Sequence, residues 1–185
     1  METHMYNMSD AVIHYNQTLK NGVKQSDKHM DGFLELLKNE FNHMNIKEKY
    51  NATLQGGILN KRWDLLASNK RKNFAFEFKS ILSSRFGRNF SSRVEEAIGV
   101  GFDAKANNSK AKLGYLIVLE NDDDKGSRFH DKIYKFCDSI VNDYRIYNSA
   151  LAIEITGNQW SYIFNSYDNF IDKFNYTTFF DFLGR

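Results

Sequence analysis

The sequence of 185 residues predicts one α/β domain, and three features predict it. Apolar residues recur first at helical spacing, then in three short runs suited to strands, then in a second helical pattern and one more buried strand. The third of the short runs, Phe74-Ala75-Phe76-Glu77-Phe78-Lys79, is apolar on both faces, as a central strand covered by helices on each side requires. The length supports one substantial core and is short for two. The expected division is an N-terminal extension over residues 1–25 and one domain over 26–185.

Residues 1–25 are polar, with a short helix expected from Ser9 to Leu19. A helix then begins at Ser26 as N-cap and carries Met30, Phe33, Leu34, Leu37, Phe41 and Met44 as its apolar stripe, ending between His43 and Ile46. A strand over Ala52 to Leu59 is interrupted by Gly56-Gly57, a pair that marks a bulge or a close backbone approach. Two strands follow around Asp64 and Glu77, joined through the polar stretch from Ser68 to Asn73. A loop from Ser80 to Phe90 leads to a helix capped by Ser91 or Ser92, with Val94, Ala97, Ile98 and Phe102 inward and Glu95 and Glu96 in its first turn. Leu113 to Leu119 reads as a buried strand, Asn121 to Gly126 as a solvated acidic turn, and residues 128–144 as a helix with Phe129, Ile133, Phe136, Ile140 and Val141 inward. Strands at Ala150 to Ile155 and Trp160 to Phe164 meet through Gly157-Asn158, and an aromatic helix is expected from Tyr167 to Leu183.

The chemistry concentrates on the second and third strands. Glu77 follows Asp64 by thirteen positions, and Lys79 shares a strand face with Glu77. A hairpin partner can set Asp64 beside both. Two hard carboxylates and a lysine make up a Mg²⁺ site for phosphodiester hydrolysis: the ion screens charge developing on phosphate, and the lysine orients or helps deprotonate a water. The bland alternative is a solvated cross-strand charge cluster. The apolar flanks argue against it, because an inner strand does not bury unpaired charge without cost.

Asp64…Glu77-Phe78-Lys79 resembles the catalytic motif of the PD-(D/E)XK nucleases, with Trp63 where the eponymous proline would stand. The stretch from Glu77 through Phe86-Gly87-Arg88-Asn89-Phe90 to Gly99 is similar to the corresponding segment of the XhoI-like Type II restriction endonucleases, as is Lys28-His29-Met30-Asp31-Gly32-Phe33. The resemblance implies a restriction-endonuclease-like core of order αβββαβ with additional C-terminal strands and helices. It implies Asp64 and Glu77 as Mg²⁺ ligands, Lys79 as the residue that positions water, double-stranded DNA as substrate, a homodimer, and a cognate DNA methyltransferase as genetic companion. A carboxylate from the first core helix sometimes reaches the metal in this fold, so Glu35 or Asp31 is a candidate third acid. Glu96 is another, with helix-dipole complementarity or a salt bridge to Arg93 as its ordinary alternative.

Recognition falls to the stretch from Ser83 to Arg93. Arg85, Arg88 and Arg93 suit guanine or phosphate, Asn89 suits adenine, and Ser91 and Ser92 suit phosphate. Arg88 and the Ser91-Ser92 pair depart from the more Asn-rich pattern of the family. Lys70 and Lys72 in the hairpin turn add phosphate contacts. From Lys61 to Arg93 there are nine basic residues against two acids, although the net charge of the chain is only +2. Positive charge gathered around two acids draws in a phosphate backbone.

Other chemistries find little support. The single cysteine, Cys137, excludes an internal disulfide and sits at apolar helical spacing, which suits core packing in a reducing cytoplasm. Five scattered histidines lack cysteine partners at zinc spacing. There is no phosphate-binding G-x-x-x-x-G-K and no run of membrane-spanning length, and Met1-Glu2-Thr3-His4-Met5 lacks the basic and apolar regions expected of a signal peptide. Two rival readings stay open: a repair or recombination nuclease that reads DNA structure, and a non-catalytic DNA-binding module with structural hairpin charges.

Overall fold

The alternation of Phe74, Phe76 and Phe78 with Ala75, Glu77 and Lys79 divides the protein into two cores, one on each side of a sheet. This arrangement comes from a computed structural model that describes residues 7–20, 27–43, 47–68 and 73–166. The helices are α1 (Met8–Lys20), α2 (Asp31–His43), α3 (Phe86–Asn107) and α4 (His130–Asp138). The strands are β1 (Lys47–Gln55), β2 (Asn60–Ser68), β3 (Asn73–Leu82), β4 (Lys112–Glu120), β5 (Ser149–Thr156) and β6 (Gln159–Asn165). They form one six-stranded sheet in sequence order. β1, β2 and β3 pair antiparallel, β3, β4 and β5 pair parallel, and β6 returns antiparallel.

Parallel neighbours need crossovers that cover the sheet, and α3 and α4 supply them on one face. Their Phe86, Ala97, Ala104, Ile133, Phe136 and Cys137 pack on Ala75, Leu113, Tyr115 and Ile117. α1 and α2 cover the other face, where Val12, Tyr15, Phe33 and Leu37 meet Phe74, Phe76, Phe78 and Val118. The stretch expected as an N-terminal extension thus contributes Met8, Ala11, Val12 and Tyr15 to a core. Burial pushes the Cys137 thiol up, in keeping with a packing role. Among the described residues no helix is long and apolar enough to cross a membrane.

Three local expectations change. The strand expected at Ala52 to Leu59 runs from Lys47 to Gln55, and Gly56-Gly57 open a hairpin turn in which Gly56 N–H donates to the Leu59 carbonyl at 2.7 Å. Close approach is the reason for glycine, since a Cβ at Gly56 would lie 1.8 Å from Asp103 Oδ2. The loop expected over Ser80 to Phe90 is instead the end of β3, a 3-10 turn at Ser83–Arg85, and the first turns of α3. Phe86, Phe90, Val94 and Ala97 keep helical spacing through Gly87, Asn89 and the two serines, and Phe86 stacks between Phe90 and Phe129 with ring centroids 4.5 and 4.0 Å away. At the other end of this helix Phe102 faces outward, and Gly101 and Ala104 take the buried positions.

The acidic turn after β4 is tied down by that same segment. Asp122 accepts the Ser84 N–H at 2.8 Å and the Ser83 hydroxyl at 2.9 Å, and Ser83 also donates to Asp123. Although burial raises it, hydrogen bonds from Ser84 and Ser83 hold the Asp122 carboxyl below its usual range. The helix expected over 128–144 is α4 between a 3-10 turn at Gly126–Phe129 and a π-helical turn at Ser139–Asp143. Ser26, Lys70, Lys72 and the aromatic segment from Tyr167 to Leu183 lie outside the described residues.

Candidate active site

β2 and β3 pair from Ser68↔Asn73 to Leu65↔Phe76, and beyond that point a side chain continues the link. The backbone N–H of Phe78, which lies between Glu77 and Lys79, donates to Asp64 Oδ2 at 2.7 Å. Strict alternation along β2 fails at the same place. Leu65 and Ala67 pack with α1 and α2, whereas Trp63 packs with α3 and α4. Lys61, two residues before Trp63, shares its side and extends toward β3.

Glu77 and Lys79 point to the α3 face. The Glu77 side chain is only 4% exposed, and its Oε1 contacts the Lys79 ammonium and the Lys61 ammonium, the latter at 3.0 Å. Glu96 comes from the third turn of α3, one turn past Arg93, to meet the same cations. Its Oε1 lies 3.1 Å from Lys61 Nζ and 3.1 Å from Lys79 Nζ, and its Oε2 accepts from Arg93 at 3.0 Å. Burial alone would raise the Glu96 carboxyl, yet Lys79 and Lys61 outweigh it and hold the group at about 2. Burial likewise opposes the charge on Lys61, and Glu77 and Glu96 more than restore it, so its ammonium is held above the usual lysine range.

Two glutamates and two lysines therefore share one partly buried set of contacts. Such an arrangement tolerates low dielectric because each charge has an opposite neighbour, but removing one member strands the others. One acceptor remains outside these pairs: Glu77 Oε2 is buried and has no hydrogen-bond partner among the described residues. No three carboxylate, imidazole or thiol groups of the described residues form a ready cation cage; the cations Lys61 and Lys79 contact Glu77 instead.

The structure brings together Glu77, Lys79 and Glu96, with Asp64 bonded to the intervening backbone. It does not bring Glu35. That residue is on α2, which packs on the opposite sheet face, and it pairs with Lys38 at 3.1 Å. Asp31 lies on the same helix, exposed, with burial and the nearby Glu35 raising its carboxyl against the pull of His14 and Lys28. Of the recognition residues, Arg85 ends the 3-10 turn, and Arg88, Asn89, Ser91, Ser92 and Arg93 occupy the first turns of α3 rather than a loop. Arg85, Arg88, Ser91 and Ser92 are exposed, and Glu95 is exposed beside them.

Lys61 is the member that sequence reasoning missed. It was visible only as one cation in a basic stretch. Spacing from Trp63 carries the signal, but reading it requires the face change between Trp63 and Leu65, which a period-two pattern hides.

A protein-family model described as Restriction endonuclease XhoI matches residues 13–138, a span that includes Lys61, Asp64, Glu77, Lys79 and Glu96. Over 120 residues the chain is 34% identical to the Type II restriction enzyme BstVI of Geobacillus stearothermophilus, covering 54% of this chain and 54% of that protein. It is 32% identical over 120 residues to the Type II restriction enzyme AbrI of Azospirillum brasilense, covering 56% and 54%. It is 33% identical over 111 residues to the Type II restriction enzyme XhoI of Xanthomonas vasicola, covering 51% and 45%. The chain spans about half the length of these curated relatives. With well over half of its own residues inside the family match, and the charged cluster inside it too, the chain belongs to the XhoI restriction endonuclease family.

Proposed function

We propose that this chain is a Type II restriction endonuclease of the PD-(D/E)XK kind that hydrolyses double-stranded DNA at a specific sequence with Mg²⁺. The observation that carries the reading is the buried Glu77 on an inner strand, held by Lys79 and Lys61 with Glu96 alongside. A purely structural ion pair would have little reason to leave Glu77 Oε2 buried and unbonded. That orphaned oxygen, with Asp64 and Glu96 as further hard donors, fits a small oxygen-seeking cation. Asp64 and Glu77 would hold it, with Glu96 the candidate third acid.

When bound, the cation supplies charge to a scissile phosphate and lowers the pKa of a water. The remaining work belongs to the chain. Lys79 orients the attacking water and offsets charge on the phosphate, while the hydrogen bond from Phe78 ties Asp64 to the backbone between Glu77 and Lys79. The first turns of α3, which start a few residues past Lys79, present Arg88, Asn89, Ser91 and Ser92 to a groove next to the cleaved bond. Arg85, Arg93, Lys70 and Lys72 are assigned to phosphates.

A palindromic target and a double-strand break suit a homodimer, with one active site for each strand. A methyltransferase would protect the host DNA, and both enzymes would work in the cytoplasm. The test is digestion of a sequenced plasmid in Mg²⁺ and in EDTA, followed by mapping of the ends. Discrete Mg²⁺-dependent fragments are expected. Cutting confined to branched or damaged DNA would replace sequence recognition with structure recognition, and binding without any cleavage would reduce the chain to a DNA-binding module.

A further inference from the structure

Glu77 Oε1 and Glu96 Oε1 are each shared by two ammonium groups, and the two lysines are not equivalent. Lys79 is the more enclosed, 14% exposed, and rises from the same strand as Glu77. Lys61 is 24% exposed and comes from the neighbouring strand, just beyond the point where β2 changes face, so its long side chain has solvent to withdraw into. A divalent cation ligated by Glu77 and an ammonium on the same carboxylate repel each other at a few ångströms. Both cannot keep full contact.

We infer that Lys61 is the built-in counter-charge of the Glu77–Glu96 carboxylate pair and the group that an arriving divalent cation displaces. This inference rests on the reading of Glu77 as a cation ligand. Lys61 holds Glu77 and Glu96 together against their mutual repulsion until a cation takes over, and it thereby sets how tightly the site binds one. Lys61 is a positioning residue in this scheme, acting through the two glutamates.

Competition predicts opposite effects from two substitutions. Lys61→Gln removes the competing charge and should tighten Ca²⁺ binding by about fivefold, the scale expected for one partly exposed ion pair. Lys61→Arg presents a fork of donors that grips carboxylates better than an ammonium does, and should weaken Ca²⁺ binding by a similar factor. A residue that merely supports the fold would give losses in both.

The experiment is calorimetric titration of the DNA-free protein with Ca²⁺ for the wild type, Lys61→Gln, Lys61→Arg and Glu77→Gln, alongside thermal unfolding in EDTA. The expected result is binding lost in Glu77→Gln, strengthened in Lys61→Gln and weakened in Lys61→Arg. In EDTA, Lys61→Gln should unfold about 2–4 °C lower, as Lys79 alone is left to offset the two glutamates. Glu77-dependent binding that Lys61→Arg leaves unchanged or tightens overturns the displacement role alone, and so does equal or weaker binding by Lys61→Gln. Absence of Glu77-dependent binding in every protein overturns the cation reading and this inference with it.

Discussion

Phe78 N–H donates to Asp64 Oδ2 at 2.7 Å, so one of the two carboxylates proposed for the cation is also the bridge that continues the β2–β3 pairing past its last backbone partners. Structure and chemistry can be separated here. Asp64→Asn keeps an oxygen acceptor for Phe78 and should cost little stability while abolishing cleavage. Asp64→Ala leaves that N–H without its partner and should lose about 1–2 kcal/mol in urea unfolding as well as cleavage. Equal stability losses in the two variants would mean that the hydrogen bond contributes nothing.

Glu96 gives a pH dependence whose sign is fixed. Its carboxyl ordinarily titrates at 4.5 and is held at about 2, the opposing effect of burial being outweighed by Lys79 and Lys61. A carboxyl depressed in the folded state stabilises the fold above its ordinary value and loses that contribution as the pH falls through its folded one. Unfolding temperatures of wild type and Glu96→Gln should therefore be furthest apart above about pH 4.5 and converge toward pH 2. A difference that persists unchanged down to that limit would contradict the pairing.

How far the sequence discloses this protein depends on what each residue needs to reveal itself. β4, β5, β6 and the Gly157-Asn158 turn were legible because apolar runs bounded by turn residues leave few alternatives. Asp64, Glu77 and Lys79 were legible as candidates because charge in an apolar setting stands out, whereas Glu96 reads only as one of two acids opening a helix, with dipole or salt-bridge alternatives. The start of α3 was obscured because Gly87, Asn89, Ser91 and Ser92 read locally as loop formers, and the stacking of Phe86 on Phe90 and Phe129 overrides them. Glu35 reads only as one candidate beside a solvated helix face, because helix spacing gives its neighbours on α2 but not the sheet face that α2 covers. Lys61 required both a register and a broken alternation, which only tertiary structure supplies.

Arg88 and Asn89 on the first turns of α3 should differ in kind from Lys70 and Lys72, which lie in sequence between β2 and β3. Arg88→Ala or Asn89→Ala should lose about 1–3 kcal/mol of discrimination at particular base pairs, as expected for a lost bidentate contact. Lys70→Ala and Lys72→Ala should weaken binding to every sequence and flatten its salt dependence. Competition binding on a panel of singly substituted sites checks this, and indistinguishable behaviour of Arg88→Ala and Lys72→Ala would remove α3 from recognition.

The turn between β1 and β2 offers a stability test away from the chemistry. Asp103 accepts the N–H groups of Ile58 at 2.6 Å and Leu59 at 3.0 Å, and a Cβ on Gly56 would collide with that carboxylate. Gly56→Ala and Asp103→Ala should each destabilise by about 1–3 kcal/mol. Because they damage one feature, the double variant should lose clearly less than the sum. Strict additivity in urea unfolding would show that the turn and the helix are not coupled in this way.

Asp64, Glu77 and Lys79, with Glu96 alongside, are proposed to cut DNA. The most direct test is cleavage of a supercoiled plasmid by wild type and Lys79→Ala in Mg²⁺, with binding to the mapped fragment measured in Ca²⁺. Discrete cleavage is expected of the wild type and none of Lys79→Ala, with binding within about tenfold of the wild type, since the lysine acts on the reaction rather than on docking. Unchanged cleavage by Lys79→Ala, or efficient cutting by the wild type in EDTA, would contradict this proposal.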